Sequence, residues 1–365
     1  MTDFQLNPYK PTKWLPGGHW QTVFGRLVRR KDGIIFHRRR LDTPDGDFID
    51  IDFPEVAGHL LPDNAPLVLL LHGLEGNARR GYACETYRRL AQLGVRSVGL
   101  NYRSCSGEMN RKARFYHSGA TDDVAFVLET LANWFPNSKR GLIGFSLGAN
   151  LTLKFLGELG GKANDWVETP ARFGSLAEQL SGVEAAVAVS PPFDMKSSSA
   201  LLEQGFSRFY TRYFLHSLHE KVRAKADLLA PVVDLDKVLA ARTFREFDHY
   251  GTAPLGGFDG ADDYYEKCST AQFLPHIRVP TLLLRALDDP LFAPDDVPYD
   301  IIAANPCLTT GITAQGGHLG FVEGQPGSFN CWAEQEAARF LAVHLTKSPA
   351  GSTLEPDSLR KPAGG

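Results

Sequence analysis

Gly141-Leu142-Ile143-Gly144-Phe145-Ser146-Leu147-Gly148-Ala149-Asn150 is the stretch on which the reading of this chain turns. It starts as an apolar, strand-like segment and continues as a helix-like one, with Gly144-Phe145-Ser146-Leu147-Gly148 at the junction. A serine on a sharp strand-to-helix turn has its Oγ carried out over the end of a sheet, where a base can reach it. Small residues on either side suit such a turn, because neighbouring backbone comes close and a Cβ would collide. An ordinary glycine-rich turn would carry the same five residues, so the pattern needs partners elsewhere. A dinucleotide loop is excluded: counted from Gly144, it requires glycines at 146 and 149, which are Ser146 and Ala149.

The flanking segments set the architecture. Residues 33–41 and 48–53 read as two strands joined through Pro44-Asp45-Gly46. In the second, Ile49, Ile51 and Phe53 alternate with Asp50 and Asp52, the pattern of a half-buried strand. Leu67-Val68-Leu69-Leu70-Leu71 is a continuous apolar run, as expected of a strand buried on both faces of a parallel sheet. A helix over 83–93, a strand over 96–100 and a helix over 121–135 follow. Thr121 is the expected N-cap of the last, with Asp122 and Asp123 in the first turn, where the helix dipole favours negative charge. The strand 141–145, the helix 147–159, strands at 183–189 and 281–286, a weaker strand near 308–314 and a helix over 331–345 complete the pattern. Alternation of this kind predicts an α/β fold with a mostly parallel central sheet flanked by helices. Between Ser190 and Pro280 the alternation stops, and an aromatic-rich helical stretch (Phe206, Phe209, Tyr210, Tyr213, Phe214) takes over. The expected organisation is an N-terminal arm over 1–32, a core over 33–190 and 276–346, a helical lid insertion over 191–275 and a disordered polar tail over 347–365.

The 365 residues are 43% hydrophobic and 22% charged, with net charge −3, an ordinary balance for a globular protein. It calls for neither nucleic acid nor an acidic substrate. Arg38-Arg39-Arg40 falls in a strand-like stretch and reads as a solvated face. Five cysteines, an odd count without a Cys-x-x-Cys pair, suit a reducing compartment. The first residues lack the apolar core of a secretory signal, and no apolar run approaches the ~20 residues that span a bilayer. A cytoplasmic protein with no integral membrane segment is expected.

A serine hydroxyl is a poor nucleophile near neutral pH and needs a base, which in turn needs an orienting group. In an α/β sheet both come from loops at the carboxyl edge, in chain order serine, acid, histidine. The acid candidate lies just past the 281–286 strand, in Ala286-Leu287-Asp288-Asp289-Pro290-Leu291: Asp289 is preferred and Asp288 is the alternative. Of eleven histidines, His318 in Gly316-Gly317-His318-Leu319-Gly320 follows a late strand in a glycine-rich loop, 29 residues after Asp289. His216, His219, His249 and His344 read as structural. Oxyanion donors are expected from the backbone N–H of Leu147 and of Leu74 in His72-Gly73-Leu74-Glu75-Gly76, with Gly73 as the fallback and His72 bracing the loop. No HExxH is present, and the acidic doublets lack nearby His or Cys ligands, so neither a metal nor another cofactor is expected.

Together these landmarks resemble the α/β-hydrolase superfamily. The runs Asn101-Tyr102-Arg103-Ser104-Cys105-Ser106-Gly107-Glu108, Tyr116-His117-Ser118-Gly119, Glu246-Phe247-Asp248, Tyr264-Tyr265, Asp288-Asp289-Pro290 and Gly317-His318 narrow the likeness to its YheT-like branch. That branch is related to medium-chain ester synthase/esterases and to membrane-anchored animal phospholipase-like hydrolases. The resemblance runs from about Pro8 to the final helix and implies an α/β-hydrolase fold with Ser146, Asp289 and His318 as the triad. The expected activity is hydrolysis of short- or medium-chain acyl esters through an acyl-enzyme on Ser146. The alternatives are an acyltransferase using an alcohol acceptor and a non-catalytic binding protein on the same fold. The expected partner is a small-molecule acyl ester; the oligomeric state is left open.

Overall fold

The computed structural model describes residues 4–161 and 182–346; the expected tail over 347–365 lies outside them. In chain order the elements that position the site are α1 (Gly18–Val28), β1 (Ile34–Asp42), β2 (Phe48–Val56), β3 (Leu67–Leu71), α2 (Gly81–Gln92), β4 (Arg96–Asn101), α3 (Thr121–Trp134), β5 (Arg140–Phe145), α4 (Leu147–Leu159) and β6 (Val183–Val189). After the helical segment come β7 (Thr281–Ala286), β8 (Leu308–Thr313), a small hairpin of β9 (Val322–Gln325) and β10 (Ser328–Cys331), and a closing helix, Trp332–Thr346. Eight strands form one sheet in the order β1-β2-β4-β3-β5-β6-β7-β8. The β1–β2 and β2–β4 pairs are antiparallel; every other pair is parallel.

The apolar run of β3 is buried along its whole length. Successive side chains point to opposite faces. Leu67, Leu69 and Leu71 therefore pack with Val124, Leu128 and Leu153 of α3 and α4, while Val68 and Leu70 pack with Leu90 of α2 and with Leu341 of the closing helix. Two helical layers enclose the sheet, and the carboxyl ends of β3, β5, β6, β7 and β8 open onto one edge.

Three local expectations are corrected. The alternation in β2 does not mark a wet face: Asp50 and Asp52 are buried, each bound bidentately by an arginine of β1. Arg38, Arg39 and Arg40 are exposed, as a solvated face requires, and Arg38 and Arg40 also serve as the cross-strand partners of these carboxylates; Arg79 adds a second bidentate pair to Asp52. The β2 strand also continues three residues past Phe53. It pairs with β4 over Asp50–Asp52 alone, so Pro54, with no N–H, sits where no β4 partner is present. Thr121 is not a cap; its hydroxyl donates to Glu158, and the first-turn acids Asp122 and Asp123 are held by Arg114 and Arg103.

Between β6 and β7 the described chain is helical. α5 (Met195–Leu202) and the long α6 (Ser207–Ala224) are followed by short helical turns, a π-helical turn over Asp248–Thr252 and α7 (Ala261–Cys268). This segment has its own apolar cluster, centred on Leu215, Val222, Leu229, Val238 and Phe244, which reaches Leu291 and Phe292 beyond β7.

Candidate active site

Ser146 joins β5 directly to α4 with φ 56° and ψ −117°, a backbone conformation that few L-residues adopt. Crowding explains the glycines around it. A Cβ on Gly144 would lie 2.1 Å from the Gly148 carbonyl oxygen, and one on Gly148 would lie 2.1 Å from that of Leu71. The strand, the turn and the helix are thus in backbone contact, and the Ser146 N–H is held by the Val189 carbonyl at 2.9 Å.

Ser146 Oγ lies 2.9 Å from His318 Nε2, and His318 Nδ1 lies 2.9 Å from Asp289 Oδ2. All three are buried. Burial alone would push the Asp289 carboxyl up, but His318, Arg285 and the Leu291 N–H hold it below the ordinary carboxylate range. An ionised carboxylate only accepts hydrogen bonds. The imidazole proton therefore sits on Nδ1, leaving Nε2 free to accept from the serine hydroxyl. Asp288 acts elsewhere, through its Oδ1, which accepts the Gly317 N–H at 2.8 Å and so pins the histidine loop. Burial raises that carboxyl.

The histidine loop rests on α1. Thr22 Oγ1 accepts the His318 N–H at 2.8 Å, Gln21 Oε1 accepts that of Val322 at 3.0 Å, and Arg29 donates to the Leu319 and Gly320 carbonyls. Gly317 sits at φ 60°, where an added Cβ would come within 2.3 Å of the Gly18 carbonyl oxygen.

The loop after β3 passes over the serine. A Cβ on Gly73 would lie 3.2 Å from Ser146 Cβ. The Gly73 N–H is already spent on the Tyr82 hydroxyl at 3.0 Å, so the fallback donor faces a protein partner, whereas Leu74 and Leu147 border the cavity beside Ser146. His72 braces this loop: Nδ1 donates to the Gly73 carbonyl at 2.7 Å and Nε2 accepts the Tyr102 N–H at 3.3 Å. Burial pushes His72 down to about 3, so it is neutral at working pH.

Four contributors were not read from the sequence. Arg285, fully buried in β7, lies 2.7 Å from Asp289 Oδ2 and also faces Asp296. Its signal was a lone charge inside Leu282-Leu283-Leu284-Arg285-Ala286. Thr22 and Tyr82 left none. Lys221 of α6 reaches across to Glu75, next to Leu74, at 2.7 Å; Tyr116 and Ser217 hydroxyls bind the same carboxylate.

Above the serine lies a largely apolar cavity of about 1290 Å³, counting its open mouth. The core supplies Leu74, Ser146 and Leu147; α6 and the turns after it supply Phe214, Leu218, Val238 and Phe247. One polar group stands out: Asp248, in the π-helical turn, accepts from Thr252 Oγ1 at 2.7 Å and from the Tyr265 hydroxyl at 2.8 Å. Burial raises its carboxyl to about 6.

Comparison with known proteins agrees with this architecture. Residues 66–325 match the family model described as alpha/beta hydrolase fold. Over 92% of its length the chain is 33% identical to the putative esterase YheT of Escherichia coli, covering 93% of that protein. It is 29% identical to mouse phospholipase ABHD3 over 87% of the chain and 74% of the relative. It is 30% identical to a monoacylglycerol lipase of Saccharomyces cerevisiae over 77% of the chain and 60% of the relative. Among solved structures, the Pyrococcus furiosus esterase Pf2001 superposes with a TM-score of 0.53 at 14% identity, covering 94% of this chain and 99% of that one. No described helix is long and apolar enough to cross a membrane. The sheet order, the strand-to-helix turn and the matches together establish that this chain belongs to the alpha/beta hydrolase fold family.

Proposed function

We propose that the protein hydrolyses carboxylic esters of apolar, short- to medium-length acyl chains through an acyl-enzyme on Ser146. The observation that carries this reading is the continuous path from Ser146 Oγ through His318 to Asp289, opening into an apolar cavity. In the first half-reaction His318 Nε2 takes the hydroxyl proton as Oγ attacks the ester carbonyl carbon. Asp289 stabilises the imidazolium that forms. The tetrahedral oxyanion is met by the N–H groups of Leu74 and Leu147, the latter at the positive end of α4. Each such donor is worth ~10²–10³ in turnover. The intermediate collapses, His318 returns the proton to the departing alcohol, and water repeats the sequence to release the acid and restore Ser146.

The names of the relatives, an esterase, a lipase and a phospholipase, favour esters over amides as substrates. Residues 191–275 act as the lid in this reading, supplying the wall that selects the acyl group. Five free thiols suit a cytoplasmic setting.

Fluorophosphonate labelling tests the nucleophile. Wild type labels, and Ser146→Ala neither labels nor turns over, with a loss of about 10⁶ in kcat. Persistent labelling of the variant overturns the assignment. A chain-length series of p-nitrophenyl esters, run with and without an added alcohol, then separates hydrolysis from acyl transfer: transesterified product at the expense of free acid marks an acyltransferase.

A further inference from the structure

We propose that the protein docks on anionic lipid bilayers through a face formed by α1 and the start of α6. Three apolar side chains of α1, Trp20, Val23 and Leu27, share one side of that helix and are exposed, Trp20 at 63% and Leu27 at 73%. Phe206, Phe209 and Tyr213 repeat the spacing at the head of α6 and are exposed in the same way.

The two stripes are one surface. The His19 ring packs edge-on against Phe206 at 4.8 Å and its Nδ1 lies 3.1 Å from the Tyr210 hydroxyl. Arg26 Nη1 donates to the Tyr213 hydroxyl at 3.2 Å. Large contiguous apolar exposure of this kind marks a contact surface. Aromatic rings of Trp and Tyr suit the boundary between headgroup and acyl chain.

Charge decides the occupant. Residues 4–31 carry no Asp or Glu, and five of their six Lys and Arg are exposed, Arg29 alone being buried against Glu334. Arg208 and Arg212 lie along one side of the α6 stripe, both exposed, and neither is ion-paired among the described residues. Glu203 lines the same groove as Arg208 and Arg212, and Asp32 is bound to Arg30. An apolar stripe edged with arginine is the composition of a helix lying flat in an anionic interface. The face also adjoins the catalytic loops: Ser207 Oγ donates to the Pro290 carbonyl at 2.6 Å, and Thr22 of α1 holds His318. A bound bilayer would therefore lie beside the cavity and bring poorly soluble esters to it.

Flotation of the full chain with vesicles tests this without relying on catalysis, so it stands or falls separately from the ester reading. Phosphatidylcholine vesicles containing about one third phosphatidylglycerol are compared with pure phosphatidylcholine, at about 0.1 M and 1 M salt, where charge reaches ~10 and ~3 Å. Wild type floats with the anionic vesicles at low salt and loses at least about tenfold in partitioning at high salt. Arg208→Ala with Arg212→Ala weakens partitioning by about 20-fold, and Trp20→Ser with Leu27→Ser and Phe209→Ser by more. Both sets keep wild-type far-UV circular dichroism and turnover of a short soluble ester. Failure of wild type to float, or flotation of the variants equal to wild type, overturns the proposal. So does a wild-type dimer in sedimentation that the triple variant dissolves while vesicles go unbound, which would assign the face to a second copy.

Discussion

Around Ser146 the chain is fixed by backbone against backbone, whereas the opposite wall of the cavity is held by side chains. On the core side, Gly144 and Gly148 leave no room for a methyl group and Gly73 little, and the Ser146 and Ser190 N–H groups lace the end of β5 to β6 and that of β6 to β7. Across the cavity, α6 is tied down by Lys221 and Ser217 on Glu75 and by Ser207 on Pro290, over an apolar space. Interdigitated backbone has one arrangement; side-chain tethers can lengthen or exchange. The first wall is therefore expected to govern the chemical step and the second the choice and retention of substrate.

The sharpest way to break that division is at the acid. Asp289→Asn, which upsets the imidazole tautomer, is expected to lower kcat by about 10⁴. Asp288→Asn, which touches the loop but not the imidazole, should cost far less. Equal losses in steady-state kinetics would refute the separation of their roles. Next, Gly148→Ala forces a Cβ into the Leu71 carbonyl, and thermal or denaturant unfolding should register a loss of at least about 3 kcal/mol or an absence of folded protein. A near-neutral result would show that this wall gives more readily than its contacts imply.

The second wall is probed by pH. Asp248 has a folded pKa of about 6 against an unfolded value of 3.8, so the fold binds its proton more tightly. The stability it contributes is present below about pH 4 and lost as pH rises through 6. Asp248→Asn should accordingly gain on wild type between pH 4 and 7, by roughly 1–3 kcal/mol, in paired melting curves. A pH-independent difference would mean that Asp248 does not titrate in that window. The smallest effect is expected at the tether: Lys221→Met should raise KM for a medium-chain ester by about 3–10-fold with kcat nearly unchanged, the pattern of a lost binding contribution. A fall in kcat instead would place the tether in the chemical step, through the neighbouring Leu74, the proposed oxyanion donor.

Much of the core wall was legible because its signals are local. Strand burial, the glycines around Ser146, and an acid and a histidine just past strand ends are all readable within a few residues. Most of what was missed spans distance. Arg285 sits four residues before the acid it faces, yet only its oddity in an apolar run hinted at a role. Thr22 meets His318 across 296 positions, and Lys221 meets Glu75 across 146. No local pattern encodes such meetings. The misreading of Asp50 and Asp52 has the same origin: alternation reports polarity, and a buried carboxylate paired by an arginine looks identical to a wet one until the neighbouring strand is present.

The contact between Thr22 and His318 also bears on when the protein becomes active. Synthesis at ~5–20 residues per second separates the two by roughly 15–60 s. For the 172 residues between Ser146 and His318, roughly 9–34 s of that interval, the ribosome carries the serine without the histidine it faces. Under the proposed triad, the nascent chain turns over no ester until its last strands emerge and the earliest helix meets the late loop it supports.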